Sequence, residues 1–187
     1  MQVTKLDIDG LMVFEPKVFA DDRGAFFESF NDRVFREATG FTGQFVQDNQ
    51  SQSRKGVVRG LHYQLPPHAQ GKLVRVARGA AWDVALDIRH DSPSFGKWAA
   101  VELSAENRKQ FWIPAGFAHG FLALEEGTEF LYKTTDFWSG ASERAIRWDD
   151  PDVGIAWPLT TPPILSGKDA AAPGIKDADL PGPGDQS

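Results

Sequence analysis

Three side chains with complementary chemistry stand close together in the segment VVRGLHYQLPPHAQGKLVRVARG, residues 57–79. Arg59 carries a permanent positive charge that suits anion binding, and His62 is of the residue type best suited to proton transfer. Lys72 begins a β-like run and supplies a cation that can stabilise negative charge on a nearby oxygen. Each of the three alone has an ordinary interpretation as a solvated surface group. The prediction of a functional site gains weight because complementary groups recur further along the chain.

These groups suit the removal of a proton from a carbon next to a carbonyl, which needs a base, a cation or donor at the enolate oxygen, and an acid. His62 is the candidate base, provided that a carboxylate orients its second ring nitrogen. The sequence offers Asp83, Asp87 and Asp169 for that task and does not choose among them. Tyr132 is the candidate acid, although an inward-facing tyrosine is more often a core aromatic whose hydroxyl is hydrogen-bonded.

A second group of residues suits a nucleotide-like ligand. Arginine holds a phosphate through two hydrogen bonds, flat aromatic rings stack on a base, and amide side chains two apart on a strand share one face. The candidates are Arg23, Arg59 and Lys168 for phosphates, Phe26, Phe27 and Trp138 for stacking, and Gln47 and Asn49 for hydrogen bonds. Each single residue also has an ordinary structural interpretation, so the ligand prediction rests on the whole set.

Histidine spacing and composition argue against several classes of function. A metal site in a cupin-like β-barrel usually contains a His-x-His pair, but here His62 is followed by Tyr63 and Gln64. The four histidines of the chain form no i,i+2 or i,i+4 pair. We therefore predict no functional metal. The chain has no cysteine, which excludes disulfides and thiolate ligands. Its net charge of -6 argues against nucleic-acid binding, which needs a basic surface.

Short apolar runs separated by Gly, Pro, Asp and Ser predict an all-β protein. The predicted strands cover residues 11–15, 25–30, 44–50, 72–77, 81–88, 98–103, 110–113, 120–124, 128–135 and 145–148. Two of them, 120–124 and 128–135, are predicted to pair across the turn Glu125-Glu126-Gly127. The pattern leaves a jelly roll, a lipocalin-like barrel and an immunoglobulin-like sandwich open. The spread of polar residues favours a barrel with a pocket in its mouth.

The 187 residues are predicted to form one domain, residues 1–172, followed by a tail, residues 173–187, that is rich in Pro, Gly and Asp. The last part of this tail is predicted to be loose. One helix is predicted over residues 32–39, ended by Gly40. Because the N-terminal region has no long apolar segment, we predict no signal peptide, no membrane span and a cytoplasmic location.

Six motifs and one tyrosine occur in the order found in one enzyme family. They are Asp22-Arg23-Gly24-Ala25-Phe26-Phe27-Glu28, Phe45-Val46-Gln47-Asp48-Asn49-Gln50-Ser51, Val58-Arg59-Gly60-Leu61-His62-Tyr63-Gln64, Gly71-Lys72-Leu73-Val74, Pro114-Ala115-Gly116-Phe117-Ala118-His119-Gly120-Phe121, Tyr132 and Leu165-Ser166-Gly167-Lys168-Asp169. On these residues the chain resembles the dTDP-4-dehydrorhamnose 3,5-epimerases, which are cupin-like β-barrel enzymes of nucleotide-sugar biosynthesis. The motifs span about residues 20 to 170, which distinguishes this match from that of a lone short motif.

The resemblance implies an all-β, cupin-like jelly-roll β-barrel, also called a double-stranded β-helix, with one or more short peripheral helices. It implies epimerisation of dTDP-4-dehydro-6-deoxy-D-glucose at C3 and C5, the carbons beside the C4 ketone, to give dTDP-4-dehydro-L-rhamnose. His62 would be the base, Asp169 its orienting carboxylate, Tyr132 the acid on the opposite face of the sugar, and Lys72 the cation at the enolate oxygen. The reaction involves no redox change, so no cofactor is implied.

The resemblance also implies how the substrate is bound. The predicted substrate-binding residues are Arg23, Phe26, Glu28, Gln47, Asn49, Arg59, His119, Trp138, Glu143 and Lys168. In the family, Arg23 and Glu28 reach the nucleotide from the partner subunit, so a homodimer with a shared active site is expected. Trp138 stands where the family usually has a tyrosine that stacks on thymine, and its larger ring should preserve the stacking.

Rival functions on the same fold are a single-centre epimerase of another dTDP-deoxysugar pathway and a sugar-nucleotide ketoisomerase. A rival from a different class is a non-catalytic nucleotide-sugar binding module, which would have no need of His62, Lys72 and Tyr132 together. A metal-dependent cupin dioxygenase is disfavoured by the missing His-x-His pair. The products formed from a dTDP-4-keto sugar discriminate among these possibilities.

Overall fold

Antiparallel strands make up most of the regular structure in the computed structural model, which describes residues 1–184. The strands are β1 Gln2–Lys5, β2 Met12–Glu15, β3 Val18–Asp21, β4 Gly24–Phe27, β5 Gln47–Ser53, β6 Val58–Gln64, β7 Lys72–Arg78, β8 Ala80–Asp87, β9 Trp98–Ser104, β10 Gln110–Ile113, β11 Phe117–Ala123, β12 Thr128–Thr134 and β13 Glu143–Ala145. The helices are α1 Asp32–Thr39 and α2 Gly167–Ala170. Within residues 1–184, no helix has the length and apolar character needed to cross a membrane.

Most of these strands belong to two facing sheets. The six-stranded sheet has the order β1-β2-β10-β7-β12-β5, and the five-stranded sheet has the order β13-β6-β11-β8-β9. Successive strands alternate between the sheets from β5 to β8 and again from β9 to β12, while β3 and β4 form a separate hairpin. This alternation is the strand order of a jelly-roll barrel. The predicted all-β jelly roll is therefore confirmed.

Strand β8 shows how the sequence sets the two sides of a sheet. Its side chains alternate, so Trp82 and Leu86 pack on the outer face while Ala81 and Ala85 pack in the barrel interior. Both faces are buried because the chain after β13 covers the outer one. This strand therefore reads as an almost continuously apolar run, interrupted by Asp83.

A stacked pair of phenylalanines divides the barrel interior. Phe121 on β11 and Phe130 on β12 come from opposite sheets, and their ring centroids lie 4.1 Å apart with nearly parallel planes. Both belong to the interior apolar cluster that also contains Phe111 and Leu103, and both line the main cavity. The pair is therefore the floor of the cavity and the upper surface of the apolar core.

Helix α1 and the aromatic residues around it cover the outer face of the six-stranded sheet. Asn31 accepts a hydrogen bond from the amide of Val34 at the helix start, and Gly40 ends the helix in a left-handed conformation that suits glycine. The helix buries Phe35, whose ring centroid lies 4.9 Å from that of Trp112. The predicted helix over residues 32–39 is confirmed.

Two strand predictions are wrong. Strands β11 and β12 follow each other along the chain but lie in different sheets, so the turn between them crosses the barrel rather than closing a hairpin. Alternating apolar residues indicate which face is buried, but not which strand is the neighbour. The predicted strand 145–148 is instead β13, residues Glu143–Ala145. Ile146 still exchanges backbone hydrogen bonds with Leu61, and the chain turns away from the sheet at Arg147, whose amide donates to the carbonyl of Pro173.

The chain after β13 runs as irregular segments across the outer face of the five-stranded sheet. Ile155 and Trp157 pack against this face, and further along the chain Ile175 and Leu180 join the same apolar cluster. The end of the predicted loose tail, residues 185–187, lies outside the described part of the chain. Each sheet is thus covered on its outer side.

Candidate active site

A cavity of about 360 Å³ opens between the two sheets, above the Phe121–Phe130 pair. The predicted site residues that line it are Gln47, Asn49, Arg59, His62, Lys72, His119, Tyr132, Trp138 and Glu143. They come from strands of both sheets and from the segment between β12 and β13. The barrel therefore brings together most of the residues that the sequence singles out.

A bulge in strand β6 brings Arg59 and His62 to the same side of the sheet. Side chains three apart on a regular strand point to opposite faces, but the pairing of β6 with β11 shifts by one residue here. Gly60 lies at the shift with a φ of 123°, and a Cβ atom on it would lie only 2.5 Å from the Cα of Gly120. The close approach of the two backbones explains why glycine stands between the arginine and the histidine.

His62 is hydrogen-bonded to Asp169, one of the three carboxylates that the sequence leaves open as its partner. The Nε2 atom of His62 lies 2.5 Å from Oδ1 of Asp169. Asp83 is instead bonded to Nε2 of His119, at 2.8 Å, and Asp87 is engaged by an arginine. The structure thus brings together the pair that the family resemblance implies.

Asp169 is held in place by the start of helix α2. Its side chain is buried, and Ser166 both donates to its Oδ2 atom, at 2.8 Å, and accepts from its amide. Burial alone would raise the pKa of Asp169, but the hydrogen bond and charge of His62 and the hydrogen bond from Ser166 bring it below the ordinary value. The carboxylate therefore stays ionised and orients the imidazole.

Lys72 is buried in the wall of the cavity, where its Nζ donates to the backbone carbonyl of His62 at 3.2 Å. Burial lowers the pKa of Lys72 to about 8, while the negative charges of Asp83 and Glu143 act in the opposite direction. The side chain is therefore still mostly protonated at neutral pH. A buried ammonium of this kind can stabilise an oxygen that acquires negative charge.

A second histidine–carboxylate pair stands beside the first. His119 on β11 lies directly opposite His62 on β6 in the strand register, and it is bonded to the fully buried Asp83. Burial raises the pKa of Asp83, although His119 and Lys72 favour its charged form. The pair holds an imidazole at the cavity wall, where it can hydrogen-bond to a polar ligand.

Tyr132 reaches the cavity from the opposite sheet to His62, since β12 belongs to the six-stranded sheet and β6 to the five-stranded one. Burial raises the pKa of Tyr132, against the opposing positive charge of Arg59. The phenol therefore keeps its proton at neutral pH and can donate it. A proton acceptor and a proton donor on opposite walls suit a reaction that inverts a carbon centre.

The rim of the cavity carries an ion pair and an exposed aromatic ring. Lys168 on α2 lies 2.6 Å from Glu143 on β13. Burial tends to raise the pKa of Glu143, but the hydrogen bond and charge of Lys168 lower it below the ordinary value. Trp138 is 62% exposed, and its amide donates to Gln47, which in turn donates to Asn49. These groups can bind a ligand that carries both charge and a flat ring.

Three predicted site residues lie away from the cavity within residues 1–184 of this single chain. Arg23 and Phe26 belong to the β3–β4 hairpin, and Glu28 follows it. Arg23 is highly exposed and forms an ion pair with Asp21, at 2.6 Å. The structure does not bring these three residues to the others within one chain, so their part in the site stays a prediction.

Several cavity residues are not predicted as site residues by the sequence analysis. Ser51 could have been found, because it continues the alternation of Gln47 and Asn49 along β5. Phe121 and Phe130 carry the same signal, because they stand two residues from His119 and Tyr132 on β11 and β12. Their stacking across the two sheets could not be predicted from the sequence. Within residues 1–184, no three His, Cys, Asp or Glu side chains are grouped so that they could hold a metal ion, and the lack of a functional metal stays a prediction.

A sequence model of the family described as dTDP-4-dehydrorhamnose 3,5-epimerase matches residues 5–177. The chain belongs to the dTDP-4-dehydrorhamnose 3,5-epimerase family. A 3,5-epimerase from Pseudomonas aeruginosa is 57% identical to it over 96% of this chain and 98% of its own length. The family predicted from the motifs is thereby confirmed.

Solved structures of related epimerases have the same fold. The 3,5-epimerase of Legionella pneumophila, in complex with dTDP-4-keto-L-rhamnose, is 50% identical with a TM-score of 0.93, and the match covers 96% of this chain and 97% of that one. A 3'-monoepimerase from Streptomyces bikiniensis, in complex with dTDP-quinovose, is 36% identical with a TM-score of 0.89 over 94% and 91% of the two chains. The fold therefore serves relatives of the 3,5-epimerases that act at one centre as well as at two.

We expect Lys72 to titrate near pH 8 in the folded protein, because burial disfavours its charged form. Asp83→Asn should lower this midpoint further, since an amide no longer favours the ammonium. The measurement is a pH titration by NMR of protein with 15N-labelled lysine, in which Lys72→Met identifies the signal. Asp152→Asn, which alters an exposed carboxylate, is the control and should leave the midpoint unchanged. A midpoint that rises in Asp83→Asn would contradict this electrostatic account.

Proposed function

We propose that this protein inverts C3 and C5 of dTDP-4-dehydro-6-deoxy-D-glucose and forms dTDP-4-dehydro-L-rhamnose. The observation that carries the proposal is the His62–Asp169 pair, which shares one cavity with Lys72 and with Tyr132 on the opposite sheet. Membership of the 3,5-epimerase family supports the choice of substrate.

The C4 ketone acidifies the hydrogens on C3 and C5, so the reaction needs a base of moderate strength and a stabilised enolate. His62 accepts the proton, the electrons of the broken C–H bond form the enolate, and the C4 oxygen becomes negative. Lys72 donates a hydrogen bond to that oxygen, and Asp169 stabilises the imidazolium formed on His62. Because the substrate neither gains nor loses electrons, the chemistry requires no redox cofactor.

Tyr132 returns a proton to the opposite face of the same carbon, and the centre is thereby inverted. This step leaves a tyrosinate and an imidazolium, which exchange protons with solvent before the second centre reacts. The raised pKa of Tyr132 keeps the phenol protonated until the enolate forms, so that a proton is available for this step. The same set of residues can therefore act on C3 and on C5 in turn.

A homodimer completes the proposed site. Arg23 and Glu28 of the partner subunit would contact the nucleotide, while Arg59 and Lys168 hold the diphosphate and Trp138 stacks on thymine. The exposed phenylalanines of the β3–β4 hairpin support this arrangement, because a monomer would leave their apolar rings in water. A cytoplasmic location, expected from the sequence, is part of the same proposal.

The test of this function is proton NMR of the protein with dTDP-4-keto-6-deoxyglucose in deuterated water. The expected result is the loss of both the C3 and the C5 proton signals, with the L-sugar product trapped by a reductase. Loss of one signal would make the protein a single-centre epimerase, like the relative from S. bikiniensis. Without exchange at either carbon the proposal fails, and a ketoisomerase or a nucleotide-sugar binding protein takes its place.

His62→Ala should slow exchange at C3 and C5 by at least about a hundredfold, because the variant lacks the base. The same NMR experiment measures the rate. His68→Ala is a matched control, since His68 also pairs with a carboxylate, Asp136 at 3.0 Å, but does not line the cavity. This control should exchange as fast as the unaltered protein. Full exchange in His62→Ala would remove His62 as the base.

Tyr132→Phe should slow inversion more than it slows proton exchange, because the phenol is needed for reprotonation and not for proton removal. Both rates come from one sample: the decay of the C3 and C5 signals reports exchange, and the trapped L-sugar reports inversion. Phenylalanine keeps the ring in place, so the cavity wall is preserved. Equal slowing of the two processes would count against Tyr132 as the acid.

Mixing two inactive variants should restore activity if the site is shared between subunits. In a heterodimer of Arg23→Ala and His62→Ala chains, one of the two sites combines an intact His62 with an intact Arg23 of the partner subunit. The mixture should therefore regain exchange after the subunits have been allowed to exchange partners. Each variant incubated alone is the control. No recovery, with heterodimers demonstrated by mass spectrometry, would place Arg23 outside the neighbouring site.

A further inference from the structure

The chain that follows helix α2 packs on the outer face of the strands that carry the site. We call residues 173–181 the C-terminal strap. The carbonyl of Pro173 accepts a hydrogen bond from the amide of Arg147, at 2.8 Å. The amide of Ile175 donates to the buried carboxylate of Asp150, at 2.5 Å. The strap is therefore attached to the barrel by specific hydrogen bonds as well as by apolar contacts.

One residue of the C-terminal strap, Asp179, contacts two neighbouring strands. Its backbone carbonyl accepts a hydrogen bond from the hydroxyl of Tyr63 on β6, at 2.7 Å, and its carboxylate lies 2.9 Å from Nε of Arg144 on β13. Tyr63 and Arg144 stand directly opposite each other in the register of these strands. Burial raises the pKa of Tyr63, so its hydroxyl remains a hydrogen-bond donor. Asp179 thus bridges a cross-strand pair from outside the barrel.

The bridged residues are the sequence neighbours of two cavity residues. Tyr63 follows His62, and Arg144 follows Glu143. Neighbouring side chains on a strand point to opposite faces, so the side chains of Tyr63 and Arg144 reach the strap on the outer face. His62 and Glu143 line the cavity, and Tyr63 also forms part of the cavity lining. Strand β13 has three residues and lies at the edge of its sheet, so few backbone hydrogen bonds set its position. A constraint on its outer face therefore acts directly on the cavity face.

The contacts form a closed ring around the site. Glu143 pairs with Lys168, the next residue is Asp169, and Asp169 is bonded to His62. The chain then continues from α2 into the C-terminal strap and returns to β6 and β13 through Asp179. The segment that places Asp169 against His62 is thus continuous with the segment that holds the strand of His62.

We propose that Tyr63 and Asp179 are positioning residues for the His62–Asp169 pair and for Glu143. They fix the position of β13 relative to β6 and thereby set the positions from which His62 and Glu143 contact a ligand. They act through their neighbours along the strands rather than through contact with the substrate. This inference rests on the proposed function, because it assigns the strap a part in the same reaction.

Two conservative variants separate the two contacts of Asp179. Tyr63→Phe removes one hydroxyl and keeps the ring, and Asp179→Asn removes the charge and keeps the backbone carbonyl. Lys176→Gln is the matched control. Lys176 lies in the same strap, but its ion-pair partner is Asp152, at 2.7 Å, which belongs to neither β6 nor β13. We expect Tyr63→Phe to lower kcat for C3 and C5 exchange about three- to tenfold, since it acts through His62. Asp179→Asn should raise KM by a similar factor, since it acts through Glu143, and the control should change neither.

Amide hydrogen exchange provides a measure that does not depend on catalysis. In both variants the amides of residues 143–146 should exchange faster than in the control, while the melting temperature changes little because each variant loses one contact. Kinetic constants and amide exchange equal to those of Lys176→Gln would overturn the proposal. Equal losses in all three variants, accompanied by a lower melting temperature, would also overturn it and give the strap a general stabilising role. If the unaltered protein shows no exchange at C3 or C5, the proposed function fails, and amide exchange still decides whether the strap holds β13.

Discussion

Charged groups withdrawn from water inside a β-barrel are the constraint on which the rest of this structure depends. Lys72, Asp83 and Asp169 are 7%, 0% and 3% exposed, and a buried charge without a partner costs several kcal/mol. This cost is offset by partners: Lys72 donates to the carbonyl of His62, and Asp83 is bonded to His119. Asp169 is bonded to His62 and Ser166. These partners allow one side of the barrel interior to be polar, while the Phe121–Phe130 stack separates it from the apolar core below.

The same desolvation shapes the chemistry of the cavity. It lowers the pKa of Lys72 and raises that of Tyr132, yet both groups keep their protons near neutral pH and can serve as donors. Asp169 would also be driven towards its neutral form, but His62 and Ser166 hold it as an anion. One cavity therefore combines a histidine backed by a carboxylate with two proton-bearing groups of the opposite sheet, Lys72 and Tyr132. Proton removal and return at a carbon beside a ketone require this combination.

The scaffold keeps these groups in place by covering both sheets from outside. Aromatic packing around Phe35 supports the six-stranded sheet, and the chain after β13 supports the five-stranded one. The support matters most at β13, a short edge strand that brings Glu143 to the cavity rim. Central strands such as β7 and β11 have a bonded neighbour on each side, so they depend less on external contacts. The C-terminal strap contacts β13, the strand whose position is least constrained by hydrogen bonds within the sheet.

The sequence by itself determined the features that depend on local pattern. Alternation along β8, the helix ended by Gly40, and the motifs around His62 predict the fold class, the helix and the family correctly. Only the tertiary structure decided which distant groups meet. Asp169 lies 107 residues after His62 and is its partner, whereas Asp83, equally available in the sequence, belongs to another histidine. Period-two alternation sets the face to which a side chain points. The meeting of two such side chains depends on strand register, on the bulge in β6 and on crossings between sheets, which arise only when the whole chain packs.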